Sequence, residues 1–169
     1  MIIIPFLLIG ALSLTSGHAL AQAKHGHAHE HGKGKLELTI ESGRAIGNMK
    51  LPLEALVGFE RAPKTEAETN AINTMNQKLQ NPGAFFVANN DAECSPKLIS
   101  STIVRDQAGK HADLDYQFDL NCAKIGSLKQ LRIGLFSEYK RLKEIRVESV
   151  GPWGQKSATA ERDSSTVNF

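Results

Sequence analysis

From Ala112 to Cys122 the chain alternates without a break, with Leu114, Tyr116, Phe118, Leu120 and Cys122 on one side and Asp113, Asp115 and Asp119 on the other. A period of two puts successive side chains on opposite faces of a strand. Such a run buries one face only, so it needs strand neighbours at its edges and a covering layer over its apolar side. The same pattern recurs at Leu36, Leu38 and Ile40, where Ser42-Gly43 turns the chain into Ala45 to Leu51 as a hairpin. Lys97 to Arg105 forms a further extended run, joined to Ala112 by a turn around Gln107-Ala108-Gly109.

One segment has helical rather than strand periodicity. Thr65 followed by Glu68 is a capping box, and Ile72, Met75 and Leu79 recur at helical spacing until Asn81-Pro82-Gly83 stops the run. Before it, Pro52 and Pro63 bound an irregular connection that should turn Leu56, Val57 and Phe59 inward. After the long alternating run come a short strand over Leu131, Ile133 and Leu135, a helical turn over Ser137 to Leu142, and a strand from Ile145 and Val147. Gly151-Pro152-Trp153-Gly154 then makes a hairpin corner into Lys156 to Glu161. Strands on both sides of one principal helix predict a single α+β domain over residues 36–161. Its sheet should be mostly antiparallel, with the helix packed on one face. Residues 162–169 are predicted to be a polar, frayed tail.

The N-terminus carries a different signal. Ile2 to Leu14 is almost wholly apolar, too short to span a bilayer, and is followed by two small-x-small frames, Ala19-Leu20-Ala21 and Ala21-Gln22-Ala23. Residues 1–23 therefore read as an export signal cleaved after Ala21 or Ala23, although no Lys or Arg precedes the apolar run. No Cys stands near the cleavage frames to be acylated, and no second apolar stretch approaches about 18 residues. The expectation is a periplasmic protein that does not insert in the membrane once its signal is removed. In that oxidising compartment Cys94 and Cys122 are most simply read as a disulfide, which would close a loop worth about 3 to 4 kcal/mol. The alternative, a redox or metal-binding thiolate, lacks C-x-x-C spacing.

Four of the six His lie within seven residues: His25, His27, His29 and His31. Residues 24–35 contain Gly, His and Lys with no apolar period, so they should form a flexible arm. In an extended conformation its four imidazoles project to one side about 7 Å apart. Neutral imidazole suits Zn2+, Cu2+ and Ni2+, and Glu30 offers zinc an oxygen, while the lack of thiolate or thioether in the arm disfavours Cu(I). Ordering a flexible segment costs entropy, so such an arm should bind with modest affinity and exchange quickly, as a capture device or buffer does. The competing reading is a solvated tether with incidental His.

A second candidate is His111 with Asp113, Asp115 and Asp119 on the polar strand face, which could hold zinc with help from the arm. The competing reading is an ordinary solvated face. Other chemistries find little footing. Lys and Arg number 20 against 18 Asp and Glu, without the clustered basic face of a nucleic-acid binder. The chain has no G-x-S-x-G, H-E-x-x-H or phosphate loop, so it is not expected to be an enzyme.

Several segments together resemble the ZrgA-like family of bacterial periplasmic zinc-binding proteins associated with zinc uptake: HGHAHEHGKGKLELTIE, LVGFERAPKTEAE, HADLDYQFDLNC, IGLFSEYKRLKEIRVESV and GPWGQKSATA. GFERAPKTEAE is the most specific of them. The resemblance implies a zinc binder that serves a zinc-uptake transporter component, with the arm as first contact and His25, His27, His29, His31 and His111 as ligands. It also fits a Cys94–Cys122 disulfide. Two departures stand out. Members of the family often have His where Arg61 stands here, and often a longer His-rich stretch where this chain has RDQAGK. A guanidinium cannot ligate zinc, so both departures reduce the expected capacity. A metal-independent scaffold domain and a Cu2+ or Ni2+ buffering protein remain as alternative functions.

Overall fold

A computed structural model describes residues 30–169. Three β-hairpins, two of them joined by a parallel pairing of the first strand with the seventh, build its main sheet. Strand β1 (Lys33–Glu41) turns at Gly43, which takes a positive φ of 85°, into β2 (Arg44–Pro52), and the two pair antiparallel. Two short helices' worth of chain follow: α1 (Leu53–Val57), then α2 (Glu66–Leu79). A three-residue strand, β3 (Phe86–Ala88), leads to the long hairpin of β4 (Cys94–Arg105) and β5 (Ala112–Cys122). Then come β6 (Gln130–Ile133), α3 (Leu135–Glu138), β7 (Glu144–Gly151), β8 (Gly154–Glu161) and β9 (Thr166–Asn168).

The six-stranded sheet runs β4-β5-β2-β1-β7-β8. Every neighbouring pair is antiparallel except β1 and β7, which run parallel from Lys33 opposite Glu144 to Thr39 opposite Val150. Strands β3, β6 and β9 form a second, antiparallel sheet. The expected α+β class holds in its coarse form, a mostly antiparallel sheet architecture with little helix.

Alternation decides which face is core. Along β5 the residues Ala112, Leu114, Tyr116, Phe118, Leu120 and Cys122 are buried, and their neighbours face outward. The inner face of β2 must let the Phe118 ring through, and it does so at Gly47: a Cβ there would stand 2.3 Å from the ring. Phe86 of β3 stacks on Phe118 with centroids 4.0 Å apart, which joins the two sheets in one core with Leu128, Leu131 and Ile133. Burying an aromatic of this size stabilises a fold by about 1.5–3 kcal/mol.

The principal helix covers this face only in part. Of α2, Met75 and Leu79 are buried, Ile72 is half-buried and most of the first two turns are exposed. Its C-terminal turn is fixed by Tyr116, whose hydroxyl donates to the Leu79 carbonyl at 2.7 Å. The rest of the covering layer comes from α1, α3 and the second sheet, of whose short strands only β6 carries enough residues to announce a period.

The connection after Pro52 contains a helical turn, α1, that buries Leu53 and Ala55, while Leu56, Val57 and Phe59 are only partly buried. Two boundaries also differ from the sequence expectation. Pairing begins at Lys33, inside the predicted arm, because the β7 backbone offers partners to Lys33 and Gly34. Residues 162–169 are not frayed: Val167 is buried, β9 pairs with β6, and Phe169 stacks on Trp153 at 5.9 Å. A lone valine in RDSSTVNF gives no periodic signal, yet it fills the edge of the second sheet.

Candidate metal site

The outer face of the main sheet is a shallow groove of about 1050 Å3 whose lining includes Glu30, Lys35, Lys50, His111, Asp113 and Arg146. Its rows follow from register. Asp113 lies between Val104 and Pro52, and Asp115 lies between Thr102 and Lys50. Cations and carboxylates on this face are matched locally. Lys35 reaches Glu37 at 2.7 Å and Glu148 at 3.0 Å, and these two carboxylates hold its ammonium above the usual lysine range. Arg44 grips Asp119 at 2.8 Å, and Lys50 lies 3.8 Å from Asp115.

That pairing gives two of the strand carboxylates cationic neighbours. Asp119, six residues beyond Asp113 on the same strand, serves the Arg44 ion pair, and Asp115 faces Lys50. His111 and Asp113 do line the same groove. Among the described residues, no three His, Cys, Asp or Glu side chains converge closely enough to hold a metal ion by themselves.

His25, His27 and His29 lie outside the described residues. His31 is within them, two residues before β1, with its side chain 68% exposed and Nδ1 3.6 Å from Glu54 Oε2. Glu54 sits on α1 and is also approached by Arg141 at 3.8 Å. The fourth arm imidazole therefore stands beside a carboxylate of the folded domain.

His111 is held by a group that sequence reasoning missed. Its Nδ1 lies 2.7 Å from Glu60 Oε2, across 51 residues of chain. The Glu60 side chain is 8% exposed, its Oε1 is buried with no hydrogen-bond partner among the described residues, and its backbone carbonyl accepts from Arg105. When Glu60 is ionised it accepts from Nδ1–H, and the contact holds the imidazole in one orientation. A charge inside a stretch expected to pack inward was the one available hint.

Arg61, next along the chain, is equally committed. Its two Nη atoms donate to Glu68 at 2.6 and 2.8 Å, and the Lys64 backbone N–H donates to the same carboxylate at 2.7 Å. Arg61 first, then Lys64, pulls the Glu68 carboxyl down to about 2. The residue at this position thus anchors the start of α2. The expected cysteine pair is also formed: Cys94 and Cys122 face each other in the β4–β5 register and are joined by a disulfide.

No helix among the described residues is long and apolar enough to cross a membrane. No curated protein matches the chain. A family model described as ZrgA family zinc uptake protein matches residues 28–169, so that its span takes in His29, His31, the Glu60–His111 pair and both cysteines. With that match over most of its length, the chain belongs to the ZrgA family of zinc uptake proteins.

Proposed function

We propose that this protein is a periplasmic zinc carrier that captures Zn2+ with its N-terminal histidine arm and delivers it to a component of a zinc-uptake transporter. The observation that carries this reading is the alternation of His25, His27, His29 and His31 with small or acidic residues, directly ahead of the first strand of a zinc-uptake-family domain. Imidazole is a preferred zinc ligand, and Gly26 and Ala28 leave the backbone free to gather three or four rings about one ion at about 2.0–2.1 Å. Zinc is the cargo here, so loose, exchangeable ligation serves the task better than a closed structural site does. The Cys94–Cys122 disulfide supports an oxidising compartment. The apolar run at Ile2 to Leu14 supports export by a cleaved signal. The reading assigns no catalysis to the chain.

Removing residues 24–31 from the chromosomal copy tests the proposal. Growth in zinc-depleted medium should fall and recover when zinc is restored. Unchanged growth would instead favour a scaffold domain whose arm is only a tether.

A further inference from the structure

We infer that strand β8 is an interface between two copies of this chain, which pair antiparallel about a two-fold axis so that their six-stranded sheets become one. This surface lies apart from the candidate metal residues, and the inference does not depend on the carrier reading above.

The two edges of the main sheet are built differently. Strand β4 closes one side and β8 the other, so each has one flank of its backbone without a strand neighbour among the described residues. In an antiparallel ladder every second residue turns its N–H and C=O away from the neighbouring strand, and such unpaired groups are a template for a further strand. Strand β4 is blunted against this. A bulge breaks its register between Leu98 and Ser100, and Pro96 and Lys97 stand near its start. These are the devices by which edges resist pairing. Strand β8 has neither bulge nor proline. Its register with β7 is unbroken from Glu144 opposite Glu161 to Gly151 opposite Gly154, and Ser157, Ala158, Thr159 and Ala160 form a run of small, uncharged side chains. A second strand can approach that run closely over its length.

Charge selects a second copy as the occupant. Elsewhere on the main sheet cations meet carboxylates locally, as Lys35 does with Glu37 and Glu148. The charges of the β8 edge do not. Lys156 makes no ion pair among the described residues and lies over the Trp153 ring, 5.9 Å from its centroid. Glu161 and Asp163 make no side-chain ion pair among them either. The cation stands near the start of the strand and the two carboxylates at and just beyond its end. An antiparallel two-fold brings the Lys156 end of each copy to the Glu161 end of the other, so unlike charges meet at both ends of the interface. Parallel pairing would bring like charges together instead.

Register agrees with this. Directly opposed residues of an antiparallel pair share one face. A pairing centred on Ala158 sets Lys156 opposite Ala160 of the second copy, beside its Glu161, and keeps the inward face of β8, where Ala160 is buried and Ala158 half-buried, on the core side of both sheets. An edge of eight residues is a small interface, so the dimer should be reversible and dependent on concentration.

The test is analytical ultracentrifugation of the processed protein over a concentration series, joined to hydrogen exchange of the backbone amides. EDTA is present throughout, so that zinc bridging between histidines cannot mimic association. The wild type should show a monomer–dimer equilibrium, and amides of residues 154–161 should gain protection as concentration rises while those of β4 do not. Lys156→Glu places like charges at both ends, and each substitution counts twice in a two-fold interface, so association should weaken about tenfold. The charge swap, Lys156→Glu with Glu161→Lys and Asp163→Lys, should restore it. All three positions are exposed, so these variants should keep the wild-type melting temperature.

A wild type that stays monomeric at every concentration overturns the inference. So does a dimer that Lys156→Glu leaves unchanged, a charge swap that fails to restore association, protection that appears on β4 in place of β8, or association that requires zinc. None of these results touches the carrier reading, which stands or falls with the arm.

Discussion

Glu68 shows how one residue's environment becomes a measurable property of the molecule. Its carboxyl sits near 2 in the folded chain, against an ordinary value of 4.5, because Arg61 and the Lys64 N–H favour the ionised form. A group whose pKa is lowered by folding stabilises the fold fully above its unfolded value and loses that contribution as pH falls through its folded value. Glu68→Gln should therefore lower the melting temperature at pH 7, with the gap to wild type closing between about pH 4.5 and pH 2. A gap that is the same at pH 3 and pH 7 would contradict the ion pair's role. Tyr116 offers a second test. Its hydroxyl satisfies the Leu79 carbonyl inside the core, and burial pushes its own pKa upward. Tyr116→Phe orphans that carbonyl and should cost about 1–2 kcal/mol in chemical denaturation. A neutral result would mean that another donor replaces it.

At the scale of elements, the long strands were the most legible part of the chain. Strand β5 begins and ends where its alternation does, at Ala112 and Cys122, and the β1–β2 hairpin turns at Ser42-Gly43 as its sequence requires. These segments announce themselves because a half-buried strand repeats one constraint many times. Helix α2 was equally readable at its start, where Thr65 accepts from the Glu68 N–H at 3.2 Å. Thr65→Ala should cost about 1 kcal/mol, measured by thermal unfolding. The second sheet was readable only at β6, where Leu131 and Ile133 alternate. Strands β3 and β9 have three residues each and succeed through one or two buried side chains, Phe86 and Val167, whose partners are distant in sequence. The parallel β1–β7 pairing was hidden for the same reason, since register between remote strands leaves no local trace. Removing residues 162–169 should accordingly lower the melting temperature by several degrees rather than leave it unchanged, as loss of a frayed tail would.

The candidate site divides along the same line. The histidines of the arm and His111 could be named from the sequence, because ligating residue types at close spacing are conspicuous. Glu60 could not, because its importance arises only when the fold carries it 51 residues forward to His111. Local ion pairing, likewise invisible in sequence, assigns Asp119 to Arg44 and sets Asp115 opposite Lys50.

The whole molecule has a disulfide-closed, two-sheet body whose first described residue, Glu30, lines the outer groove. The body should keep its fold without zinc, since its core is continuous and its crosslink is covalent. Reducing or replacing Cys94 and Cys122 should destabilise it by about 3 kcal/mol in denaturant, whether or not zinc is present. Zinc binding should weaken below about pH 6, where free imidazoles take up protons and cease to ligate. The account's central claim is that the arm captures zinc, and calorimetric titration with Zn2+ at pH 7.4 tests it most directly. It compares the processed protein with the variant in which His25, His27, His29 and His31 are all Ala. The account predicts saturable binding in the first and its loss in the second, with both proteins folded alike by circular dichroism. Undiminished binding in the variant would contradict the claim and place the principal site on the folded domain.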